Sequence, residues 1–260
     1  GLAPLARHLA APALAARRVR PVSVERIERL GTGTRLYGLH HATDGEATPV
    51  VVNARLAIVA APLPIAARMV PELAAPWANS RAAAGDRAPW TVANIVFRRP
   101  PVERDTGGDD LLAWDNVVHG SPALGFVNAA HQMIRIDTTG PLVLTAYRAY
   151  PATDREARAE LRRLLELGSP APAREWLALV GPDLVAAYGS AVWRDVVRVQ
   201  VTVRGHGMSA PAPGFLDEPL LHALRRETGP VRYAHSDLSG YSVFEEALWW
   251  GTRAAHAIGA

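Results

Sequence analysis

Apolar residues in this chain follow a helical period at the start, then alternate, then mix the two patterns to the end. Leu2 to Ala16 carries the helical spacing, interrupted at Pro12, and predicts a short helix. "VSVERIERL" (Val22–Leu30) and "TRLYGLHH" (Thr34–His41) predict strands joined by "GTG" as a hairpin turn. "PVVVNARLAIVAAPLP" predicts one or two buried strands, the last stopped by Pro62 and Pro64. From Ile65 to Ala84 an Ala-rich helical stretch follows, with proline interruptions.

The middle of the chain alternates again. "WTVANIVFRRPP" (Trp90–Pro101) predicts a strand, and "LLAWDNVV", "ALGFVNAA" and "PLVLTAYRAY" add three more, together a mostly antiparallel sheet. "TDREARAELRRLLELG" predicts a helix with Thr153 and Glu156 as capping box and Ala157, Leu161, Leu164 and Leu165 as buried stripe. Gly168 suits its C-terminal cap. A second helix runs from Pro172 towards Tyr188, broken or bent near Gly181–Pro182. "WRDVVRVQVTVRG" predicts a strand, "HGMSAPAPGF" a loop, "PLLHALRRETG" a helix and "VRYAHSD" the final strand. The fold class is α/β or α+β. Residues 1–62 and 205–260 share one domain, and residues 63–204 form another, with a mostly antiparallel sheet and helices.

Composition narrows the classes of function. The net charge is +3, but all 28 basic residues are Arg and lie scattered among 25 acids, without the compact basic face that nucleic acid requires. There is no cysteine, which excludes disulfides, thiolate metal sites and Cys nucleophiles. No uninterrupted apolar run reaches ~18 residues, so no membrane span is expected. The opening segment lacks the basic-then-apolar order of a signal peptide. A soluble protein, cytoplasmic or exported, is expected. His40 and His41 are neighbours on a strand and point to opposite faces, a poor metal pair; no metal site is expected.

The candidate chemistry gathers in the closing stretch, "YAHSDLSGYSVFEEALWWGTRAAHAI" (Tyr233–Ile258). Ser242 and Glu245 have capping-box spacing, and Phe244, Ala247, Leu248, Gly251, Ala255 and Ile258 make one face for burial. The N–H groups near Val243 and Phe244 suit an anion or an electron-rich carbonyl. Asp237, at the carboxyl end of a strand, can accept hydrogen bonds from sugar-like hydroxyls. The plainer alternative is an acid in a tight turn before a capped helix. His206, between glycines in "RGHGM" with Met208 nearby, is either an acid–base group or a loop histidine. Trp114, Asp115, Asn116, His131 and Gln132 either line a cavity or satisfy strand ends. "GTGTRLYG" lacks the third glycine of a dinucleotide fingerprint and reads as a hairpin turn.

"YAHSDLSGYSVFEEALWWGTRAA" is similar to the C-terminal signature of the flavin-dependent amine oxidase family, the monoamine and polyamine oxidases. The matching residues are Ala234, Asp237, Phe244, Glu245, Ala247, Gly251, Ala254 and Ala255, with His235 where the family has Gly. The resemblance implies FAD as cofactor. Asp237 would hold the ribityl–diphosphate region, and the backbone at Val243 and Phe244 would face the flavin pyrimidine ring. "GLAPLARHLA" resembles the segment in which Gly1 and Leu2 approach the flavin. "VSVERIERL" resembles the strand in which Val24 contacts the adenine, and "ARLAIVAAPLP" the turn that brings Pro62 to the cofactor. "WTVANIVFRRPP" resembles the first strand of the substrate domain. "VWRDVVRVQVTVRGHGMSAPAPGF" resembles the return over the flavin, in which His206 would lie over the ring with Met208 nearby. The candidate site is then His206 as catalytic residue and Trp114, Asn116 and Met208 as substrate contacts, each with the plainer alternative given above.

By this resemblance the chain is the C-terminal portion of an FAD-dependent oxidoreductase. It would pass hydride from a small-molecule substrate C–H to flavin N5, and it would lack the N-terminal βαβ portion that bears the fingerprint, so that alone it would be inactive. Without Cys a thioether to the flavin is impossible. The Lys that many amine oxidases place near flavin N5 has no counterpart at Ala93–Asn94. A non-catalytic binding module without flavin, and a flavin desaturase or isomerase acting on an apolar, lipid-like substrate, are the alternatives.

Overall fold

The computed structural model describes residues 3–84, 86–102, 113–129, 140–151, 154–166 and 171–258. The chain opens with helix α1 (Ala3–Ala15) and strands β1 (Val22–Leu30), β2 (Gly33–His41), β3 (Ala47–Ala54) and β4 (Ala57–Val59). Helices α2 (Leu63–Met69), α3 (Pro71–Ala78) and α4 (Arg81–Ala84) follow, then strands β5 (Asp86–Phe97), β6 (Asp115–Asn116), β7 (Gly125–Asn128) and β8 (Leu142–Ala149). Helices α5 (Arg155–Glu166) and α6 (Ala171–Tyr188), strand β9 (Val196–Ala210), helix α7 (Pro219–Arg226), strand β10 (Val231–Tyr233) and helix α8 (Phe244–His256) complete it. The chain divides into a central unit, Arg87–Met208, and a terminal unit, Leu2–Asp86 with Ser209–Ala260.

In the terminal unit β1, β2 and β3 form an antiparallel meander, with the β1–β2 turn closing at Leu30↔Gly33 as "GTG" predicts. Gly38, in the same stretch, pairs with Val24, and a Cβ on it would collide with the Ser23 carbonyl oxygen. The glycine there permits close approach of two backbones. A separate parallel pair joins β10 to β4. Proline at the first helical turn opens both α2 and α3. The core is built from Ile27, Leu63, Val70, Leu221, Leu238 and Trp250 and their neighbours.

Three expectations for this unit are corrected. β3 is not buried: Val51 and Val52 are 54% and 45% exposed, because only the β2 side of the meander is paired and no second layer covers it among the described residues. Helix α8 turns a different face inward. Trp250 and Ala254 are buried, while Leu248 and Ile258 of the expected face are exposed. The capping box also does not form. Val243 is the N-cap, without a side-chain bond, and Ser242 Oγ instead accepts the Ser209 N–H at 2.8 Å.

The central unit holds a five-stranded sheet in the order β6-β7-β8-β5-β9, with antiparallel pairing of β6–β7, β7–β8 and β8–β5. Alternation along β5 and β8 decides its two faces. Ala93, Ile95, Phe97, Leu144 and Ala146 pack on Trp176, Val180 and Leu184 of α6. α6 runs as one helix through Pro182. Thr91, Trp176 and Tyr150, each 0% exposed, share a buried polar chain: Trp176 Nε1–H donates to Thr91 Oγ1 at 2.9 Å, and Thr91 Oγ1 lies 3.0 Å from Tyr150 Oη. Tyr150, Ala157, Leu161 and Leu164 form a smaller core. Asp154 caps α5 by accepting the Ala157 N–H at 2.9 Å; Thr153 of the expected capping box and Gly168 lie outside the described residues. Leu165 is 58% exposed, since it falls off the stripe that Ala157, Leu161 and Leu164 define. The result is a mixed α and β fold whose sheets are mostly antiparallel.

Candidate functional site

Asp237 sits in a short turn, Ser236–Leu238, directly after β10. It is 3% exposed, and its Oδ2 accepts the Leu63 N–H at 2.9 Å, across 174 positions of sequence. Pro62 precedes α2 and offers no side-chain cap, so the Asp237 carboxylate meets the positive end of that helix instead. Arg225 of α7 holds the turn from the other side, donating to the Leu238 carbonyl through Nε at 2.8 Å and Nη2 at 2.6 Å. Burial lowers its pKa from the ordinary guanidinium value.

His235, where the resemblance expects Gly, has φ −143° and ψ 149°, extended backbone open to any residue. Its Nδ1 accepts the Asp237 N–H at 3.0 Å and closes the turn.

Val243 and Phe244 stand at the start of α8, Val243 being 45% exposed. Glu245 and Glu246 occupy the first turn, and Ser239 Oγ, which accepts the Trp250 Nε1–H at 2.6 Å, bonds to Glu246. The helix thus joins the Asp237 turn through Ser239. Val24 packs, partly buried, against the core that contains Leu63 and Leu238. Asp237, Pro62, Val24 and the start of α8 are accordingly parts of one unit, linked by one core and one carboxylate. Gly1 and Leu2 lie outside the described residues. A carboxylate is an acceptor of the kind that suits hydroxyls such as those in the polyol part of a dinucleotide. No Gly-rich cradle for a diphosphate accompanies it in the sequence.

A groove of about 110 Å³ opens nearby, lined by Arg225, Arg226, Glu227, Arg232, Trp250 and Arg253. Glu227 is committed to Arg29 at 2.9 Å and to the Gly229 N–H at 2.7 Å. Burial opposes its charge, but these bonds prevail and its pKa falls below the usual carboxylate value.

In the central unit His206 is exposed and lies inside β9, where a loop was expected. The strand continues through "RGHGM" because Gly207 lets the Trp90 indole lie against it, Cδ1 being 2.8 Å from where a Cβ would stand. Met208 follows, half-buried. Trp114 is 49% exposed, and Asn116 Nδ2 donates to the Ala113 carbonyl at 2.8 Å, satisfying a strand end. His131 and Gln132 lie outside the described residues.

Sequence reasoning missed the residues that line the half-open face of this sheet. Trp90, Asn94, Thr145 and Tyr147 alternate with the buried positions of β5 and β8. The Trp90 and Tyr147 rings stack at 5.8 Å, and Thr145 Oγ1 donates to Asn94 Oδ1 at 2.8 Å. Trp90 Nε1 is buried without a partner among the described residues. Tyr147 donates to Asp115 Oδ1 at 2.6 Å; burial first, and that bond second, push its pKa up to about 12. The strict alternation of "WTVANIVF" and "LVLTAYRA" was the available signal.

No protein-family model and no curated protein matches the chain. Solved structures do. Cyclohexylamine oxidase from Brevibacterium oxydans IH-35A superposes with a TM-score of 0.60 at 17% identity, over 91% of this chain and 47% of that one. Reduced UDP-galactopyranose mutase superposes with a TM-score of 0.55 at 13% identity, over 92% of this chain and 47% of that one. At such identities the likeness is one of fold. The chain spans about half the length of these structures.

Proposed function

We propose that this chain is the C-terminal portion of an FAD-dependent oxidoreductase of the amine-oxidase type, acting on a C–H bond of a small molecule. The observation that carries the reading is the Asp237–Leu63 bond. It joins two distant segments, each of which resembles a cofactor-contacting segment of that family. The likeness of fold to an amine oxidase supports it. Asp237, Val24, Pro62, Val243 and Phe244, with Gly1 and Leu2, are the residues proposed to hold FAD.

Bound FAD supplies the two-electron acceptor for the substrate hydride. This chain's own part is to orient and shield. Asp237 would accept hydrogen bonds from the cofactor's hydroxyls, and the amide end of α8 would favour negative charge on the ring. Trp90 and Tyr147 offer an aromatic wall for the substrate, together with Trp114, Asn116 and Met208. His206 is the proposed acid–base group. The experiment is to purify the longest natural product of the gene and record its visible absorbance. A yellow, FAD-containing protein is expected, and a colourless product indifferent to added FAD defeats the proposal.

A second reading, a flavin desaturase or isomerase on an apolar substrate, is favoured by Asn94. It occupies the half-open sheet face, bonded to Thr145, in a chain without any Lys. Anaerobic bleaching of the flavin by an apolar alkane (desaturation), or double-bond migration in an apolar alkene without net bleaching (isomerisation), with no reaction of primary or secondary amines, selects it.

A further inference from the structure

The groove between the ends of α7 and α8 carries positive charge that its own wall does not balance. Arg225, Arg226, Arg232 and Arg253 line it, and Glu227 is the acid among its lining residues. Glu227 pairs with Arg29 at 2.9 Å, so that carboxylate is already neutralised. Glu72 of α3 acts on Tyr233, also on the wall, but pairs with none of the four arginines. Arg225 donates to the Leu238 and Leu216 carbonyls, and Arg232 Nη2 donates to the Thr228 carbonyl at 3.3 Å. Carbonyls satisfy donors but carry no net charge. Among the described residues no carboxylate pairs with Arg225, Arg226, Arg232 or Arg253. Arg225 and Arg226 also stand at the negative C-terminal end of α7, which offsets about half a charge and leaves most of the four standing.

The groove is also built before anything enters it. The Arg253 guanidinium lies 5.4 Å from the Trp249 ring and 5.8 Å from the Trp250 ring, a contact that holds a cation in place. Trp250 is 7% exposed and is itself fixed by its bond to Ser239. Arg225 is anchored by its carbonyl bonds, so little side-chain freedom is lost on binding. The volume, about 110 Å³, equals that of about four waters, enough for a tetrahedral oxoanion and not for a whole nucleotide. Arg253 stands in the last turn of α8, roughly 14 Å along the helix from Phe244. The groove is therefore apart from the amide end of that helix.

We propose that this groove is an anion site for a phosphate dianion, free or as the head of a small monoester. Arg226 and Arg253, which have no hydrogen bond or ion pair among the described residues, supply the direct contacts. Guanidinium forks match phosphate oxygens in pairs. Arg225 and Arg232 add charge from behind. A phosphate carries close to two negative charges near neutral pH, where a carboxylate carries one, and so fits the surplus better. The Trp249 ring, 51% exposed, gives the rest of an ester a surface to lie on.

Calorimetric titration of the protein with inorganic phosphate, against chloride at equal ionic strength, tests this. Saturable binding on the order of 1 mM or tighter is expected, and about 10 mM phosphate should raise the melting temperature. Arg226→Gln and Arg253→Gln each remove charge-assisted bonds and should weaken binding about tenfold or more. Arg253→Lys keeps charge and stacking without the fork, and should fall between. Arg7→Gln, on the exposed helix α1, should change nothing. Phenyl phosphate bound at least as tightly as inorganic phosphate identifies the ester, and its exclusion identifies the free ion. No binding beyond chloride, or binding indifferent to Arg226→Gln and Arg253→Gln, overturns the proposal. Phosphate binding that survives both changes and is displaced by FAD puts the anion in the cofactor site and also overturns it. A hexaglutamate peptide that binds more tightly than phosphate, and is lost in the same variants, makes the occupant an acidic protein segment and rejects phosphate. Flavin content does not enter this readout, so either proposal can fail alone.

Discussion

Replacing Asp237 by Ala removes the acceptor for the Leu63 N–H, and the surroundings offer no substitute. Leu63 is 1% exposed and Asp237 3%, so water does not reach the abandoned amide. A hydrogen bond to a charged acceptor contributes about 1.5–3 kcal/mol, and a buried N–H left unmet costs about 1–3 kcal/mol. The carboxylate also lies at the positive end of α2, a contribution of about 0.3–1 kcal/mol. These overlap, since one bond is lost, and the expected cost of Asp237→Ala is about 2–4 kcal/mol. Asp237→Asn keeps an oxygen in place and should cost about half as much. The assay is urea unfolding of the terminal unit, read together with amide exchange at Leu63, which reports the bond locally. An Asp237→Ala protein within about 0.5 kcal/mol of the parent, with Leu63 exchange unchanged, refutes the tertiary cap and with it the link between the two segments.

Thr91→Val should cost about 1–3 kcal/mol, because it strands the buried Trp176 N–H and leaves the Tyr150 hydroxyl only its bond to Glu160, whereas Thr91→Ser keeps the oxygen and should cost less; equal unfolding midpoints contradict this. Gly38→Ala should cost more than about 2 kcal/mol by forcing β1 from β2, while Gly31→Ala, with open space around it, should fall within about 0.5 kcal/mol of the parent in the same melt. Tyr147 is held protonated in the folded state, with its pKa raised from 10.0 to about 12. Its contribution to stability is therefore complete below pH 10 and is lost as pH rises through about 12. Tyr147→Phe should remove that part of the alkaline loss, and a difference absorbance titration centred near the ordinary tyrosine value counts against it.

Local pattern determined which segments became strands and helices. The β1–β2 hairpin, β5, β8, α5 and α7 follow from period, turn residues and prolines, all of which act within a few residues. Asp237 at the end of β10 was legible as a candidate for the same reason, being an acid at a strand mouth before a helix. Tertiary contacts decided the rest. Helix α8 is apolar on more than one side, so its period left the phase open, and the Trp250 N–H bond to Ser239 selected the buried face. Ser242 was drawn from capping by the Ser209 N–H, and the cap of α2 came from a residue 174 positions away. Which face of β5 and β8 would stay open, with Trp90 and Tyr147 on it, depended on α6 covering the other. Periodicity sets the alternation of a strand; only the packing of a partner decides which half of it is buried.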